Sequence, residues 1–353
     1  MTANTCPGKN VLSTHRRISV GEWIMVTGAN GYIASHIIDI LLQNGYRVRG
    51  TLRSHEEAPW LAEFFAKEYG EAVFEVAIVT DLTDSAGFDR AARGMSGIVH
   101  SASILPSTSD VDAVVPHVVA GTRNALDAAA KSGSVRSFVL TSSSIAACMP
   151  EFVKPNVVVD EYSWNQGAPA AAYSKETPAE ALPLMIYAAS KTLGERALWD
   201  WVAWKHPHFS VNAVLPNFNM GKPLCPKITT SSMPHVLALL DGAKPRTDII
   251  QPQYFVHVRD NARLHVAALL DPTVQSERLF AFAEQFNWND VVGILRRLEP
   301  DNKSIPDGPK DEPRDLTNVD KVRRRAEALL KSNFGVMGWT GLEESLTEAL
   351  KRT

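Results

Sequence analysis

A tyrosine and a lysine four residues apart, Tyr187 and Lys191, are the residues of this chain best placed to do chemistry. They stand in the stretch IYAASKTLGERALWDW (186–201), which reads as a helix. Residues i and i+4 share one face of a helix, so the two side chains should lie together. A lysine ammonium stabilises a phenolate, so we expect Lys191 to lower the pKa of Tyr187 from its usual ~10. Such a tyrosine can act as a general acid or base. The alternative is that the two residues lie on the surface and have no function.

Three consecutive serines supply a candidate partner for that tyrosine. They are Ser142, Ser143 and Ser144 in the stretch FVLTSSSIAA, at the end of a strand-like run. An oxygen atom that exchanges a proton with a tyrosine needs a second group to hold it, and a serine hydroxyl can donate that hydrogen bond. The chemistry expected of these residues is therefore proton transfer at an oxygen atom, provided that the fold brings them together.

Strand-like and helical segments alternate along most of the chain. The strand-like runs are WIMVTG (23–28), YRVRGTL (46–52), AVFEVAIV (72–79), GIVHSA (97–102), RSFVLTSS (136–143) and FSVNAVLP (209–216). Helical patterns such as YIASHIIDILLQNG (32–45) and VVAGTRNALDAAAKSG (118–133) lie between them. This alternation predicts βαβ units, and hence an α/β fold with a doubly wound parallel sheet covered on both faces.

A glycine-containing turn joins the first strand to the first helix. The stretch VTGANGYIAS places Gly28, Gly31 and Ala34 at T-G-x-x-G-x-x-A spacing. Small residues there let the backbone approach a pyrophosphate, and the helix N-terminus offers free N–H groups and the positive end of its dipole. The turn favours dinucleotide binding over the alternative, in which the glycines serve only the packing of a tight turn.

The end of the second strand indicates which dinucleotide binds. NAD-binding sheets usually carry an acid there for the ribose 2′-hydroxyl. This strand ends in Leu52, followed by Arg53, whose guanidinium suits a 2′-phosphate. We therefore expect NADPH as the cofactor, with Arg49 structural. Asp81 follows the third strand and could accept from the adenine amine, although a helix N-cap is an equally simple role for it.

The later segments interrupt the alternation and define the expected domains. We expect residues 21–216 and 253–283 to form the NADP-binding domain and residues 1–20 to form an N-terminal extension. Residues 217–252 and 284–353 should form a smaller, discontinuous substrate-binding lobe. It would lie over the carboxyl ends of the strands, where such sheets bind ligands.

Composition and charge exclude several other classes. The 353 residues carry a net charge of −3, which does not suggest a nucleic-acid partner. The three cysteines are widely spaced, which fits a reducing compartment and no metal site. The N-terminus lacks the apolar core of a signal peptide, and no apolar run approaches the ~20 residues that span a bilayer. A cytoplasmic protein with no membrane partner is the expectation.

Taken together, the motifs resemble the extended short-chain dehydrogenase/reductase family: TGxxGxxA near the N-terminus, TSSS after the fifth strand and YAASK further on. They are similar in detail to the fungal and plant branch that holds NADPH-dependent aldehyde and ketone reductases, dihydroflavonol reductases and cinnamoyl-CoA reductases. The stretch VTGANGYIASHIIDILLQNGYRVRGTLRS most resembles the fungal carbonyl reductases. The resemblance continues through VLPNFNMG (214–221), VHVRDNARLHVAAL (256–269) and GWTGLEESLTEAL (338–350).

The resemblance implies a role for individual residues. Tyr187 matches the catalytic tyrosine, Lys191 the lysine that also binds the nicotinamide ribose, and Ser143 the active serine. Arg53 matches the residue that holds the 2′-phosphate. The cofactor-binding residues that the family motifs imply are Thr27, Gly28, Asn30, Gly31, Tyr32, Ile33, Arg53, Asp81, Leu82, Ser101, Ala102, Ser103, Pro216 and Asn217.

Two departures from the family pattern affect these expectations. Some relatives have a lysine four residues after the arginine, where this chain has Glu57, which would weaken a preference for NADP. The family's asparagine in the fourth helix is replaced by Ala120, so a proton relay through that helix is in doubt.

The expected activity is NADPH-dependent reduction of a ketone or an aldehyde. Ser144, Phe218 and Met220 are candidates for a largely apolar substrate pocket, and the family suggests secondary metabolism. Two other activities share the fold: a nucleotide-sugar epimerase or dehydratase, and a non-catalytic protein that senses NADP. The missing acid at Leu52 argues against the first, and the joint presence of Ser143, Tyr187 and Lys191 argues against the second.

Overall fold

The computed structural model describes residues 15–104, 109–228 and 232–351. The strands are β1 (Trp23–Thr27), β2 (Arg47–Leu52), β3 (Phe74–Ile78), β4 (Gly97–His100), β5 (Ser137–Thr141), β6 (Val157–Val158), β7 (Ser210–Pro216), β8 (Phe218–Met220), β9 (Gln253–His257), β10 (Arg278–Ala281), β11 (Glu284–Phe286) and β12 (Thr317–Asn318). The helices are α1 (Tyr32–Gln43), α2 (Ala58–Tyr69), α3 (Ser85–Ala92), α4 (Val115–Ser132), α5 (Gly167–Tyr173), α6 (Leu182–Lys205), α7 (Met233–Leu237), α8 (Val258–Leu270), α9 (Trp288–Leu298), α10 (Asp320–Phe334) and α11 (Leu342–Leu350).

Seven strands form one parallel sheet in the order β10-β7-β5-β4-β1-β2-β3. The chain runs outward from β1 to β3, returns to the centre at β4 and then runs outward again to β10. The point at which the order reverses lies between β1 and β4, where sheets of this kind bind ligands beyond their carboxyl ends. The predicted doubly wound α/β fold is confirmed.

Two apolar cores cover the two faces of this sheet. Val26 of β1 and Val139 of β5 belong to the core that includes α1 and α8. Met25 and Phe138, their neighbours along the same strands, belong to the core that includes α3, α4 and α6. Successive side chains of a strand point to opposite faces, so a strand buried on both sides is apolar throughout.

A small three-stranded sheet lies beyond the large one. β9 pairs with β8 in parallel and with β11 in antiparallel orientation. Gln253–His257, which we assigned to the cofactor-binding domain, therefore hydrogen-bonds to strands of the expected lobe. The division of the chain into a cofactor domain and a substrate lobe stays a proposal.

Part of the expected N-terminal extension packs against the large sheet. Ile18 is fully buried, and the main-chain N–H of Arg17 donates to the carbonyl oxygen of Leu270 at 2.6 Å. Residues 1–14 of that expected extension lie outside the described residues.

Candidate active site

Tyr187 and Lys191 lie on one face of α6 and point to the end of β5. The helix has Pro183 in its first turn, where the missing N–H of proline costs no helical hydrogen bond. The helix packs closely against α4: a Cβ added at Gly194 would lie 3.1 Å from Cγ1 of Val118. A larger residue at Gly194 would push α6 away from α4 and shift both side chains relative to the sheet.

Lys191 is buried, and its ammonium reaches beneath the end of β5. Its Nζ donates to the carbonyl oxygen of Thr141 at 3.2 Å. Burial lowers the pKa of Lys191 to about 8, and the negative charge of Glu195 opposes this effect. The lysine is therefore charged at neutral pH and loses its proton a little above it.

Ser143 lies immediately beyond β5, at the start of a single 3₁₀ turn over Ser144–Ala146. Its hydroxyl accepts a hydrogen bond from the N–H of Ile145 at 3.4 Å and also hydrogen-bonds to the phenol of Tyr187. The structure thus places Ser143, Tyr187 and Lys191 side by side at the carboxyl end of one central strand. Their catalytic roles stay a proposal.

The pKa of Tyr187 does not follow our expectation. Burial raises the pKa of the phenol, and the influence that opposes this is the hydrogen bond from Ser143. The expected lowering by Lys191 is wrong for this structure, because the lysine ammonium is directed to the carbonyl of Thr141. Tyr187 therefore remains protonated at neutral pH, which is the form of a proton donor.

Sequence reasoning missed a buried ion pair behind these residues. Glu195 is fully buried, and its carboxylate accepts from the hydroxyl of Ser142 at 2.6 Å, so the Ser142 side chain has a structural role. Arg278 of β10 donates to the same carboxylate at 2.6 Å. Glu195 could have been noticed because it follows Lys191 by four residues on the same helix face. Arg278 could not, since no local spacing connects it with α6.

At the switch point, Thr27 ties β1 to β4. Its Oγ1 accepts from the N–H groups of Ser101 at 3.0 Å and Ala102 at 2.9 Å, and it hydrogen-bonds to Nδ1 of His100 at 2.9 Å. With three partners inside the protein, the Thr27 hydroxyl is not available to a ligand. The hydroxyl positions the two strand ends that would border the cofactor, and the predicted contact of Thr27 with the cofactor stays a prediction for its main chain.

The turn after β1, called the glycine cradle below, has no side chain at Gly28 and at Gly31. Gly28 has φ +69°, and a Cβ there would meet Cα of Ala102 at 3.2 Å. Gly31 precedes α1, and no side chain caps that helix end. The first N–H groups of a helix lack acceptors within the helix and suit a phosphate. Next to this cradle, the buried hydroxyl of Ser103 has no hydrogen-bond partner among the described residues.

Two predicted cofactor residues in α1 turn their side chains away from this cradle. The hydroxyl of Tyr32 donates to the carbonyl oxygen of Gly221, next to the small sheet. Ile33 packs against the apolar core. Any contact of these two residues with a phosphate would therefore use main-chain atoms. The prediction from the sequence did not specify whether the main chain or the side chain makes the contact.

The end of β2 has no acidic side chain. Leu52 is buried in the core, and Arg53, the next residue, is exposed. Arg49 forms an ion pair with Glu75 at 2.5 Å, in agreement with the structural role that we expected. Arg53 is thus the cation that β2 presents beyond its carboxyl end.

A hydrogen bond connects the glycine turn with the start of α2. Asn30 donates from Nδ2 to the carboxylate of Glu57. This bond holds a negative charge beside the turn. It also engages the side chain of Asn30, one of the predicted cofactor ligands.

Asp81 does not cap a helix. It is exposed and accepts hydrogen bonds from N and Oγ1 of Thr83, both at 2.5 Å, while Asp84 is the N-cap residue of α3. Our alternative role for Asp81 is therefore wrong. Leu82 packs against α4, where a Cβ at Gly121 would meet its Cβ at 2.9 Å.

The end of β7 leads directly into the small sheet. Pro216 is the last residue of β7, and the N–H of Asn217 donates to the carbonyl oxygen of Ala281 at 3.2 Å. Asn217 also accepts, through Oδ1, the N–H of Phe218 at 2.7 Å. This arrangement places the main chain of both predicted residues at the carboxyl edge of the large sheet.

The three candidate pocket residues have different surroundings. Phe218 is partly exposed, and its ring lies 5.5 Å from that of Phe286. Ser144 is largely buried in the 3₁₀ turn next to Ser143. Met220 is fully buried in the core. Met220 therefore presents no surface to a substrate in this structure, contrary to its predicted place in the substrate pocket.

A small cavity of about 10 Å³ lies between the end of β4 and α6, a space on the scale of one water molecule. Ala102 and Ser103 line it from the switch point, and Lys191 and Glu195 line it from α6. The cavity therefore lies between Lys191 and Ala102, the residue against which Gly28 packs.

Within residues 15–104, 109–228 and 232–351, no group of three or more His, Cys, Asp or Glu side chains is arranged to hold a metal ion. In the same part of the chain, no helix is long and apolar enough to cross a membrane.

Comparison with known proteins places the chain among enzymes. Ketoreductase adrE of Penicillium rubens is 43% identical over 337 residues, which cover 94% of this chain and 96% of that protein. Aldehyde reductase 2 of Sporidiobolus salmonicolor is 37% identical over 333 residues, covering 93% and 95%. The solved complex of yeast methylglyoxal/isovaleraldehyde reductase Gre2 with NADPH has a TM-score of 0.77 and 26% identity, covering 93% of this chain and 96% of that chain.

The sheet, its switch point and the residues around it have the architecture of nucleotide-dependent dehydrogenases, reductases and epimerases. Residues 24–280 match the NAD dependent epimerase/dehydratase family. The chain belongs to that family, and the predicted membership among the extended short-chain dehydrogenases/reductases is confirmed.

Proposed function

We propose that this protein is an NADPH-dependent reductase that converts a ketone or an aldehyde to an alcohol. The observation that carries the proposal is the placement of Ser143, Tyr187 and Lys191 around the carboxyl end of β5, in the sheet whose strand β1 leads into the glycine turn, with β4 between the two strands. The similarity to a ketoreductase, to an aldehyde reductase and to a reductase solved with NADPH supports the same activity.

The residues at the switch point fit a dinucleotide. Gly28 and Gly31 add no side chain to the turn, and the uncapped start of α1 offers N–H groups to a pyrophosphate. The unpartnered hydroxyl of Ser103 borders the same region and could hydrogen-bond to the cofactor. When it is bound, NADPH supplies the hydride that the carbonyl carbon accepts.

The protein's own residues act on the oxygen of the substrate. Ser143 donates a hydrogen bond that holds the carbonyl oxygen, and Tyr187 transfers its proton to that oxygen as negative charge develops there. Tyr187 is protonated at neutral pH because burial raises its pKa, so it enters the reaction as an acid. Lys191 contributes a buried positive charge below the same strand end and would bind the nicotinamide ribose.

The preference for NADPH over NADH rests on the end of β2. The exposed guanidinium of Arg53 can form charge-assisted hydrogen bonds with a 2′-phosphate. The buried Leu52 offers no acceptor to a 2′-hydroxyl. The remaining cofactor contacts that we propose are those of Asn30, Asp81 and the main chain from Ser101 to Ser103 and at Pro216 and Asn217.

The substrate is proposed as a carbonyl compound with apolar substituents. Phe218 offers a partly exposed ring beside the small sheet, and Ser144 adjoins the active serine. We also propose a place in secondary metabolism and a cytoplasmic location. Cys148 and Cys225, which are free among the described residues, support the cytoplasmic location.

The test is consumption of NADPH in the presence of a panel of aldehydes and ketones, with the alcohol product identified by mass spectrometry. We expect turnover with at least one apolar carbonyl compound and none with nucleotide sugars. The Tyr187→Phe variant serves as the matched control. Absence of turnover across the panel, or equal turnover by this variant, would refute the proposed function.

A further inference from the structure

Three residues of α6 at a spacing of four, Tyr187, Lys191 and Glu195, line up on one helix face. Glu195 is fully buried, yet its carboxylate has three side-chain donors. It accepts from the hydroxyl of Ser142 at 2.6 Å, from Nε1 of Trp199 at 3.2 Å and from Nε of Arg278 at 2.6 Å.

Arg278 is fixed in place independently of Glu195. Its Nη1 donates to the carbonyl oxygens of Glu161 at 3.1 Å and Ser163 at 2.5 Å. Its guanidinium lies 3.9 Å from the centre of the Trp164 ring. The arginine therefore fixes the position of the Glu195 carboxylate, which follows Lys191 by one turn of α6.

Lys191 has few charged neighbours. Glu195 is the charge that raises the pKa of Lys191 against the effect of burial. His100 faces it from β4 and His265 from α8, and burial lowers the pKa of these two residues to about 3 and about 4. Both histidines are thus neutral above pH 5. Of these three side chains, the carboxylate of Glu195 is therefore the one whose charge favours the ammonium.

The histidines also have fixed hydrogen bonds that suit their neutral form. Nδ1 of His265 faces the carbonyl oxygen of Asn261 at 2.8 Å and must donate to it, which leaves Nε2 to accept from the hydroxyl of Thr141 at 2.9 Å. Thr141 is also the residue whose carbonyl accepts from Lys191. A second proton on His265 would break this arrangement.

We propose that Glu195 is a positioning residue that keeps Lys191 charged and directed at the end of β5, with Arg278 holding Glu195 for that purpose. The consequence of this positioning for catalysis rests on the proposed function, whereas the effect of Glu195 on the charge of Lys191 does not. Burial of a carboxylate and its cation has a large desolvation cost. A well-packed apolar pair in the same place would stabilise the fold at least as well. The alignment with Lys191 and the contact with Ser142 give the pair a role that packing alone does not explain.

The test compares the titration of Lys191 in the wild-type protein and in Glu195→Gln, which removes the charge with little change of shape. The rate of acetylation of Lys191 by acetic anhydride is measured from pH 6 to pH 10 by mass spectrometry of its peptide, without cofactor. We expect the midpoint in the variant to fall by about one pH unit or more. The affinity for NADPH, measured by fluorescence titration, should begin to weaken at a correspondingly lower pH.

Two further variants distinguish an effect of Glu195 on Lys191 from a general loss of protein stability. Asp260→Asn breaks another buried ion pair, with Arg263 at 2.8 Å, and should lower the melting temperature without moving the midpoint of Lys191. Glu195→Asp keeps the charge and should restore the midpoint towards that of the wild type. If Glu195→Gln does not fold, the double variant Glu195→Gln with Arg278→Met also removes the arginine charge that the single change leaves unpaired, and it is titrated instead.

An unchanged midpoint in the folded variant would overturn the inference and leave Glu195 as a structural ion pair. Failure of the proposed function has a different signature: the midpoint still shifts, but the wild-type protein neither binds NADPH nor reduces any carbonyl compound.

Discussion

The hydroxyl of Ser143, just beyond β5, hydrogen-bonds to the phenol of Tyr187 in α6. The contact links two segments distant in sequence and opposes the effect of burial on the pKa of Tyr187. A substrate oxygen that enters between these groups would meet two hydrogen-bond donors at once. Replacing Tyr187 by phenylalanine removes one of these donors.

Tyr187→Phe should lower kcat for carbonyl reduction by ~10² to 10⁴, the usual contribution of general acid–base catalysis, because the ring stays and the transferable proton is lost. The affinity for NADPH, measured by fluorescence titration, should change little. Tyr173→Phe, at an exposed tyrosine of α5, is the control and should retain full activity. Near-normal activity of Tyr187→Phe would remove Tyr187 from the mechanism.

Lys191→Ala should lower the rate and also weaken NADPH binding, because the buried ammonium lies beneath the strand end where we place the nicotinamide ribose. Steady-state kinetics and fluorescence titration measure the two effects separately. Lys205→Ala, at an exposed lysine near the end of the same helix, should alter neither. If the affinity for NADPH is unaffected in Lys191→Ala, the ribose contact is wrong.

The affinity for NADPH should depend on pH through Lys191. The lysine is charged below its pKa of about 8 and neutral above it, so its attraction for the cofactor is present at pH 7 and is lost as the pH rises through 8. Fluorescence titration between pH 7 and pH 9.5 should show a constant affinity at first and then a decline. An affinity that stays constant to pH 9.5 would show that Lys191 keeps its proton or does not contact the cofactor.

Arg53→Ala should lower kcat/KM with NADPH by about ten- to a hundredfold, since a charge-assisted hydrogen bond contributes roughly 1.5–3 kcal/mol. The efficiency with NADH should hardly change. Arg47→Ala, at the opposite end of β2, is the control. An equal loss with both cofactors would make Arg53 a structural residue. Leu52→Asp would be the other way to change the cofactor preference. Because Leu52 is buried, the new carboxylate would be buried without a partner, so Arg53 is the better position for this test.

Glu57→Gln should strengthen NADPH binding by about two- to fivefold, the scale of a partly exposed charge interaction. The carboxylate of Glu57 is held beside the glycine turn by Asn30, so its charge opposes the phosphates of the cofactor. Glutamine can still accept the hydrogen bond from Asn30. Glu56→Gln, at the exposed neighbouring residue, is the control. Weaker NADPH binding by Glu57→Gln would mean that the carboxylate orders the turn more than it repels the cofactor.

The features that sequence alone could determine are those set by local spacing. The alternation of strands and helices predicted the parallel sheet, because each element can bury its apolar side only in a layered fold. Gly28 and Gly31 marked the turn where we expect the phosphates. A Cβ at Gly28 would meet Cα of Ala102 at 3.2 Å, and a Cβ at Gly31 would meet the carbonyl oxygen of Gly28 at 3.1 Å. The four-residue interval between Tyr187 and Lys191 placed them on one helix face.

Tertiary structure decided what depends on contacts between distant segments. Arg278 meets Glu195 only because β10 lies at the edge of the sheet near α6, and no local pattern connects the two residues. Burial of Met220, the three partners of Thr27 and the raised pKa of Tyr187 likewise result from packing around each side chain. Desolvation and hydrogen bonding act through space, so the sequence could name these residues but not the environment that sets their chemistry.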